Sequence, residues 1–232
     1  QRTYSSWAEL LPWMLLILGL ALIIGLINGL AVAYAKVPPI IMTLGMNGAV
    51  AGLLLVVTSG GTTAETPEQL GPMITETYFG LAPVIWIWII VTIVVTLVLA
   101  RTSFGRSLYA VGANANAAGL AGLRVSRITV VPYVVSAVMA ALAGFLLLGY
   151  LGQAYVTMGD GYLFSSAIAV AVGGASILGG RGNYLGTVAG ALVLTLIAAI
   201  LPIFSLGTGA VRICSGLILL IAVSFGSRAA RT

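Results

Sequence analysis

The sequence predicts an all-α fold: a polytopic membrane helical bundle with about seven spans. Three observations lead there. Hydrophobic residues make up 60% of the 232-residue chain and charged residues only 6%, whereas a soluble domain carries about 25% charged residues. The apolar residues gather into long runs, and in lipid such runs must be helical, because the backbone finds no hydrogen-bond partner there but itself. The few charges also segregate by sign among the connections between runs.

A spanning helix needs about 20 apolar residues. Seven runs approach that length: Pro12–Ala35, Ile40–Thr58, Val84–Ala100, Ile128–Leu151, Tyr162–Leu178, Tyr184–Leu201 and Val211–Phe225. All 232 residues are read as one transmembrane domain. The first two runs are joined by KVPP, where Pro38 and Pro39 suit a tight corner. Trp7 and Trp13 near the first run, and Trp86 and Trp88 at the start of the third, suit the aromatic belt at the headgroups. Thr58 to Pro83 is the longest connection and reads as a solvated loop carrying Glu65, Glu68 and Glu76. The fifth run is short and ends in VGGASILGGRGN, so it is either a span or a broken, re-entrant helix. The spacings Gly25–Gly29, Gly48–Gly52, Gly182–Gly186 and Gly186–Gly190 are those that let helices approach closely.

Charge orients the spans. With the connection Arg101–Arg127 placed inside the cell, alternation puts Lys36, Arg101, Arg106, Arg124, Arg127, Arg181, Arg228 and Arg231 inside, eight of the ten basic residues. Only Arg2 and Arg212 fall outside, together with all five acidic residues, Glu9, Glu65, Glu68, Glu76 and Asp160. That split is what retention of cations on the cytoplasmic face produces. It places the N-terminus of this chain outside the cell and the C-terminus in the cytoplasm. The start, QRTYSSWAELLPW, has neither an initiating Met nor a charged n-region. It is not read as a signal peptide, and the chain is expected to be part of something longer.

Arg101–Arg127 is the one long connection with positive charge and no negative charge. Its interior is Gly, Ala and Asn. Asn114 or Asn116 can cap a helix start, and Gly119 and Gly122 are natural places for it to end. A helix over roughly Asn114 to Ala121 is too short to be stable alone in water. The segment is therefore either a topology-setting loop or a docking element for a soluble partner.

Catalysis finds no support. The chain has no His and one Cys, which removes the commonest general base and metal ligand, and no span contains an acidic pair. No metal and no cofactor is expected. Cys214, inside an apolar run, reads as a small buried hydrophobe. The net charge of +5 fits arginines held at one membrane face, and without a basic patch interleaved with aromatics there is no case for nucleic acid. GASILGGRGN lacks the Gly-Lys-Ser/Thr of a phosphate loop, since Arg181 and Gly182 follow Gly180. Within the spans the polar candidates are neutral, among them Asn28, Asn47, Ser136, Ser165, Ser166 and Thr195. Ion-coupled transporters use ionisable or polar groups near the midplane. A neutral lining suits a neutral, hydroxyl-rich solute, with the energy supplied by another polypeptide. Asn28, Asn47, Ser165 and Ser166 are the candidate substrate-path residues, each of which can instead bond a backbone carbonyl or a neighbouring helix.

FGRSLYAVGANANAAGLAGL resembles the cytoplasmic coupling segment of ribose-type monosaccharide ABC importer permeases, matching at Phe104, Gly105, Arg106, Tyr109, Gly112, Asn114, Ala117, Ala118, Leu120 and Gly122. It departs at Gly119, where the family commonly has Arg. VPPIIMTLGMNGAVAGL and VGGASILGGRGNYLGTVAGALVLTLI are similar to the same family. Ala51 replaces a common Arg, and Leu163 and Ser165 stand where many members are acidic. The resemblance runs from about Leu11 to Val223 and implies the vitamin B12/ribose-type importer permease fold, with upstream family spans missing. It implies a permease subunit carrying a ribose-like sugar and no enzyme activity of its own. The implied partners are ATP-hydrolysing subunits, an external solute-binding protein, a second permease subunit (identical or not) and membrane lipid. The ATPase-coupling residues it implies are Phe104, Gly105, Arg106, Gly112, Asn114, Asn116 and Gly122, with Arg181 structural or touching the ATPase. Gly112→Trp is expected to leave insertion intact and uncouple hydrolysis from uptake. Two alternatives stay open: an ABC permease for another small solute, such as a branched-chain amino acid, and an ATP-independent channel or facilitator.

Overall fold

The computed structural model describes residues 7–59, 64–65, 71, 77, 80–176 and 179–200. The expected span Val211–Phe225 lies outside them, as do Cys214, Glu68, Glu76, Arg2, Arg212, Arg228 and Arg231. The described elements are α1 (Trp7–Ala33), α2 (Pro39–Val57), β1 (Ala64–Glu65), α3 (Pro83–Arg101), α4 (Ser103–Ala113), α5 (Ala115–Leu120), α6 (Val125–Leu151), β2 (Gln153–Ala154), α7 (Asp160–Val172) and α8 (Tyr184–Ile200). The protein is an all-α membrane protein, with one short pair of strands among the described residues.

Among the described residues, α1, α2, α3 and α6 are long and apolar enough to cross a membrane. With a rise of 1.5 Å per residue, α2 and α3 reach about 28 Å and α1 and α6 about 40 Å, against a hydrocarbon core of about 30 Å. The fifth run follows the shorter of its two readings. α7 has 13 residues, about 20 Å, and ends at Val172, where the glycine-rich stretch begins. The 17-residue α8 is intermediate, about 25 Å. The KVPP corner is as expected. Lys36 takes a left-handed conformation after α1, Val37 N–H donates to the Ala31 carbonyl, and Pro39 opens α2 where no intrahelical donor is needed.

The described backbone divides into two compact units, the described residues of 7–89 with 122–159, and those of 90–121 with 160–200. In the first, α1 packs along α6. The buried positions of α1 are Ala21, Gly25 and Gly29, one per turn on a single face. A methyl group at Gly25 would sit 2.7 Å from Val134 Cα and 2.9 Å from the Tyr133 carbonyl oxygen, and one at Gly29 would sit 3.0 Å from Val130 Cα. The Gly25–Gly29 spacing is therefore used for close contact. Gly48 and Gly52 have nothing within 4 Å, and α2 buries none of its residues. α6 ends at Gly152, and beyond it β2 pairs antiparallel with β1, Ala64 opposite Ala154 and Glu65 opposite Gln153. The loop read as solvated thus contributes one rung pair to this unit.

The second unit is built on the α7–α8 hairpin. A methyl at Gly173 would meet the Gly186 backbone, and one at Gly190 would meet the Ala169 carbonyl oxygen and lie 2.9 Å from Gly173 N. Small residues four apart on each helix face each other, so the two backbones touch. Large aliphatic side chains point outward throughout, as at Leu15, Ile40, Val56 and Leu196. Trp13, Trp86 and Trp88 are also at the surface. Lipid tails are as apolar as Leu, so close backbone approach, not sequestration of Leu and Val, is what holds such helices together.

Candidate functional site: the basic elbow and the glycine-rich turn

At the end of α3 the chain bends sharply into α4. Thr102 is the hinge. It caps α4 by accepting from Gly105 N–H at 3.1 Å, while its own hydroxyl donates back to the Val98 carbonyl. Gly105 is buried at the inside of the bend, where any side chain would collide with the Leu99 carbonyl. Phe104 is half-buried beside it. Arg106 is exposed and lies along the helix, Nη2 donating to Ser103 Oγ at 3.1 Å and Nη1 to the Arg101 carbonyl at 3.5 Å.

Asn114 interrupts the helix and restarts it. Its backbone is extended, and its side-chain oxygen accepts from Ala117 N–H at 3.0 Å, the first-turn cap that opens α5. Of the two asparagines proposed as caps, Asn114 is the one used; Asn116 is exposed on α5. The helix ends at Leu120, and Gly122 follows with φ +86°. Ala118 is buried, while Leu120 is 93% exposed. A large aliphatic side chain thus projects fully from a basic connection outside the apolar runs.

The elbow packs against the turn between α7 and α8. Tyr109 Oη donates to the Gly182 carbonyl at 3.0 Å, across 73 residues of sequence. A methyl at Gly112 would lie 2.7 Å from Gly180 N, and one at Gly180 would lie 2.6 Å from Ala113 Cα. Gly179 and Gly180 have φ +91° and +75°, a region L side chains rarely enter, so both the path and the contact require glycine. The turn is closed on itself: Ser176 N–H donates to the Arg181 carbonyl at 2.9 Å, and Asn183 Oδ1 accepts from Leu185 N–H at 3.1 Å at the start of α8. The Gly112→Trp substitution would therefore pry elbow from turn before it altered any outer surface.

The candidate path residues divide between the units. Asn28 and Asn47 belong to the first, Ser165 and Ser166 to the second. Asn28 Oδ1 is buried without a hydrogen-bond partner, as are the Thr92 and Thr96 hydroxyls. Asn47 is exposed. Ser165 Oγ donates to the Gly161 carbonyl at 2.8 Å and Ser166 Oγ to Leu163 at 3.1 Å, each within its own helix. Among the described residues no three His, Cys, Asp or Glu side chains gather to hold a metal ion. Tyr109 and Leu120 carried weight in the sequence only as points of resemblance, and Gly179 and Gly180 only within a glycine-rich stretch that resembles the family and fails as a phosphate loop. The available signal was that two glycine-rich stretches fall on the same side of the predicted topology, where backbones free of side chains can touch.

Residues 3–223 match the family described as branched-chain amino acid transport system / permease component. The chain is similar to the autoinducer 2 import system permease protein LsrC of several bacteria. The Photorhabdus luminescens protein is 33% identical over 214 residues, 92% of this chain and 65% of the relative. That of Escherichia coli O9:H4 is 34% identical over 209 residues, 90% of this chain and 61% of the relative. That of Yersinia enterocolitica serotype O:8 is 33% identical over 204 residues, 88% and 57% respectively. The chain thus spans 57–65% of the length of these curated relatives. No solved structure matches it.

Proposed function

The chain belongs to the branched-chain amino acid transport system / permease component family, and on that premise we propose that it is a membrane-spanning permease subunit of an ATP-driven importer. Its solute is a monosaccharide or a related hydroxyl-rich molecule, delivered by an external binding protein. A second permease subunit, identical or not, completes the pathway. ATP-hydrolysing subunits dock on the elbow from the cytoplasm, with Phe104, Gly105, Arg106, Gly112, Asn114, Asn116 and Gly122 as the coupling residues: Arg106 and Asn116 are exposed to a partner, while Gly105, Gly112 and Asn114 shape the elbow. The chain itself is not an enzyme. The N-terminus of this chain lies outside and its C-terminus in the cytoplasm.

One observation carries the docking role: Leu120, 93% exposed, at the tip of a six-residue helix that is too short to hold its shape in water unaided. An apolar side chain this exposed on a short helix between the spans is available to anchor a partner. The contact of the Arg106-bearing elbow with the Arg181-bearing turn supports their placement at one membrane face, as alternation of the spans requires. For the solute, the relatives' names point to autoinducer 2, whereas the family description points to branched-chain amino acids. Spans that carry ionised residues only at their ends favour the neutral, hydroxyl-rich class over a molecule with two charged ends.

The test is co-purification and uptake in cells carrying the complete import system, with radiolabelled ribose and autoinducer 2 as probes. Leu120→Asp should insert normally yet lower recovery of the ATP-hydrolysing subunit about tenfold or more, with uptake falling in step. Unchanged recovery and uptake would remove the docking role, and uptake surviving deletion of the ATP-hydrolysing subunit would favour a facilitator. Thiol labelling of Ser107→Cys from the outer face would overturn the orientation.

A further inference from the structure

The contact between elbow and turn has a consequence for how force would move through this protein, and it rests on the transporter reading above. Everything on the path from α4 to α8 is short-range and stiff. Tyr109 holds the Gly182 carbonyl, Gly112 and Ala113 lie against Gly180 backbone to backbone, and Ser176 bonds Arg181 across the turn. Asn183 then caps α8, and Gly173, Gly186 and Gly190 press the two hairpin helices together. Backbone contacts of this kind contain no rotatable side chain that could absorb a displacement, and close-packed interfaces transmit strain instead of yielding.

We propose that the turn Gly179–Asn183 is the relay through which movement of the elbow reaches the α7–α8 hairpin, with Tyr109 as the positioning residue that keeps elbow and turn in register. A nucleotide-driven shift of α4 and α5 carries the turn with it, and the turn carries the end of α7 and the start of α8. Among the described residues Tyr109 makes the one long-range side-chain hydrogen bond in this path, so removing its hydroxyl loosens the relay without touching the elbow's outer face or the hairpin's own contacts.

The experiment uses the assembled transporter in lipid vesicles, with Cys214→Ser and one spin label at a time, on the elbow at Ala115→Cys or on the hairpin at Leu192→Cys. Both positions are exposed. ATP with vanadate is the trigger. In the otherwise unaltered complex both labels should respond. In Tyr109→Phe the elbow response should persist while the hairpin response falls about threefold or more, the scale on which losing one net hydrogen bond shifts an equilibrium. Gly112→Ala, which forces a methyl against Gly180, should act in the same direction. A hairpin response unchanged in Tyr109→Phe overturns the relay alone, and so does a parallel loss at both labels, which would mark a structural defect. An elbow label silent in the unaltered complex overturns the transporter reading, and the relay with it.

Discussion

Gly25→Ala places a methyl where α1 crosses α6. At that point its carbon would lie 2.7 Å from Val134 Cα, 2.9 Å from the Tyr133 carbonyl oxygen and 3.0 Å from Ala137 Cβ. Two of these three neighbours are backbone atoms, which cannot rotate away. Restoring an ordinary carbon–carbon separation of about 3.5–4 Å requires the helices to part by roughly 1 Å, and that opens the contact along its length. Overpacking of this kind costs about 1–3 kcal/mol, and the backbone character of the contact points to about 2 kcal/mol for Gly25. Gly29 should cost less, its nearest atoms lying at 3.0 Å with one of them a Val130 side-chain carbon. Gly19, on the same helix with nothing within 4 Å, supplies the internal control and should gain up to about 1 kcal/mol from the better helix propensity of Ala. Reversible unfolding of the purified chain in mixed micelles of increasing SDS fraction measures all three. The expected order of loss is Gly25→Ala, then Gly29→Ala, with none in Gly19→Ala. Equal effects at Gly19 and Gly25, or a gain at Gly25, would refute the packing of α1 on α6.

In the elbow, Asn114→Ala removes the oxygen that accepts from Ala117 N–H. A lost cap costs about 1 kcal/mol, so amide exchange at Ala117 and Ala118 should quicken about fivefold, while Asn114→Ser should stay near the original rate. In the hairpin, Gly190→Ala meets the Ala169 carbonyl and the Gly173 amide. It should lower stability in the same micelle titration by about 1–3 kcal/mol, whereas Gly144→Ala, with open space around it, should not. Equal costs at positions 190 and 144 would show that α7 and α8 do not touch where described.

How much could be read in the sequence depended on the kind of interaction that decides each feature. The four long spans, their boundaries to within one helical turn (except at the start of α1, which begins five residues before the expected Pro12), the proline corner and the Asn114 restart all follow from local rules. These are the length of an apolar run against the thickness of a bilayer, the missing donor of Pro39 and the acceptor of an Asn side chain. Membership of a permease family was also legible, because the elbow and the Gly173–Gly190 stretch keep residue types that few other constraints would select. What the sequence could not supply was pairing. Nothing local distinguishes Gly25–Gly29, which meets α6, from Gly48–Gly52, which meets nothing among the described residues. Ser165 and Ser166, attractive as solute contacts, spend their hydroxyls on carbonyls of their own helix. The tie between Tyr109 and Gly182 joins residues 73 positions apart and leaves no periodicity to detect. A helix forms from its own hydrogen bonds and so can be read where it stands. Which two glycines let backbones meet is settled only when both helices are in place, since the deciding quantity is a distance between segments and not a property of either one.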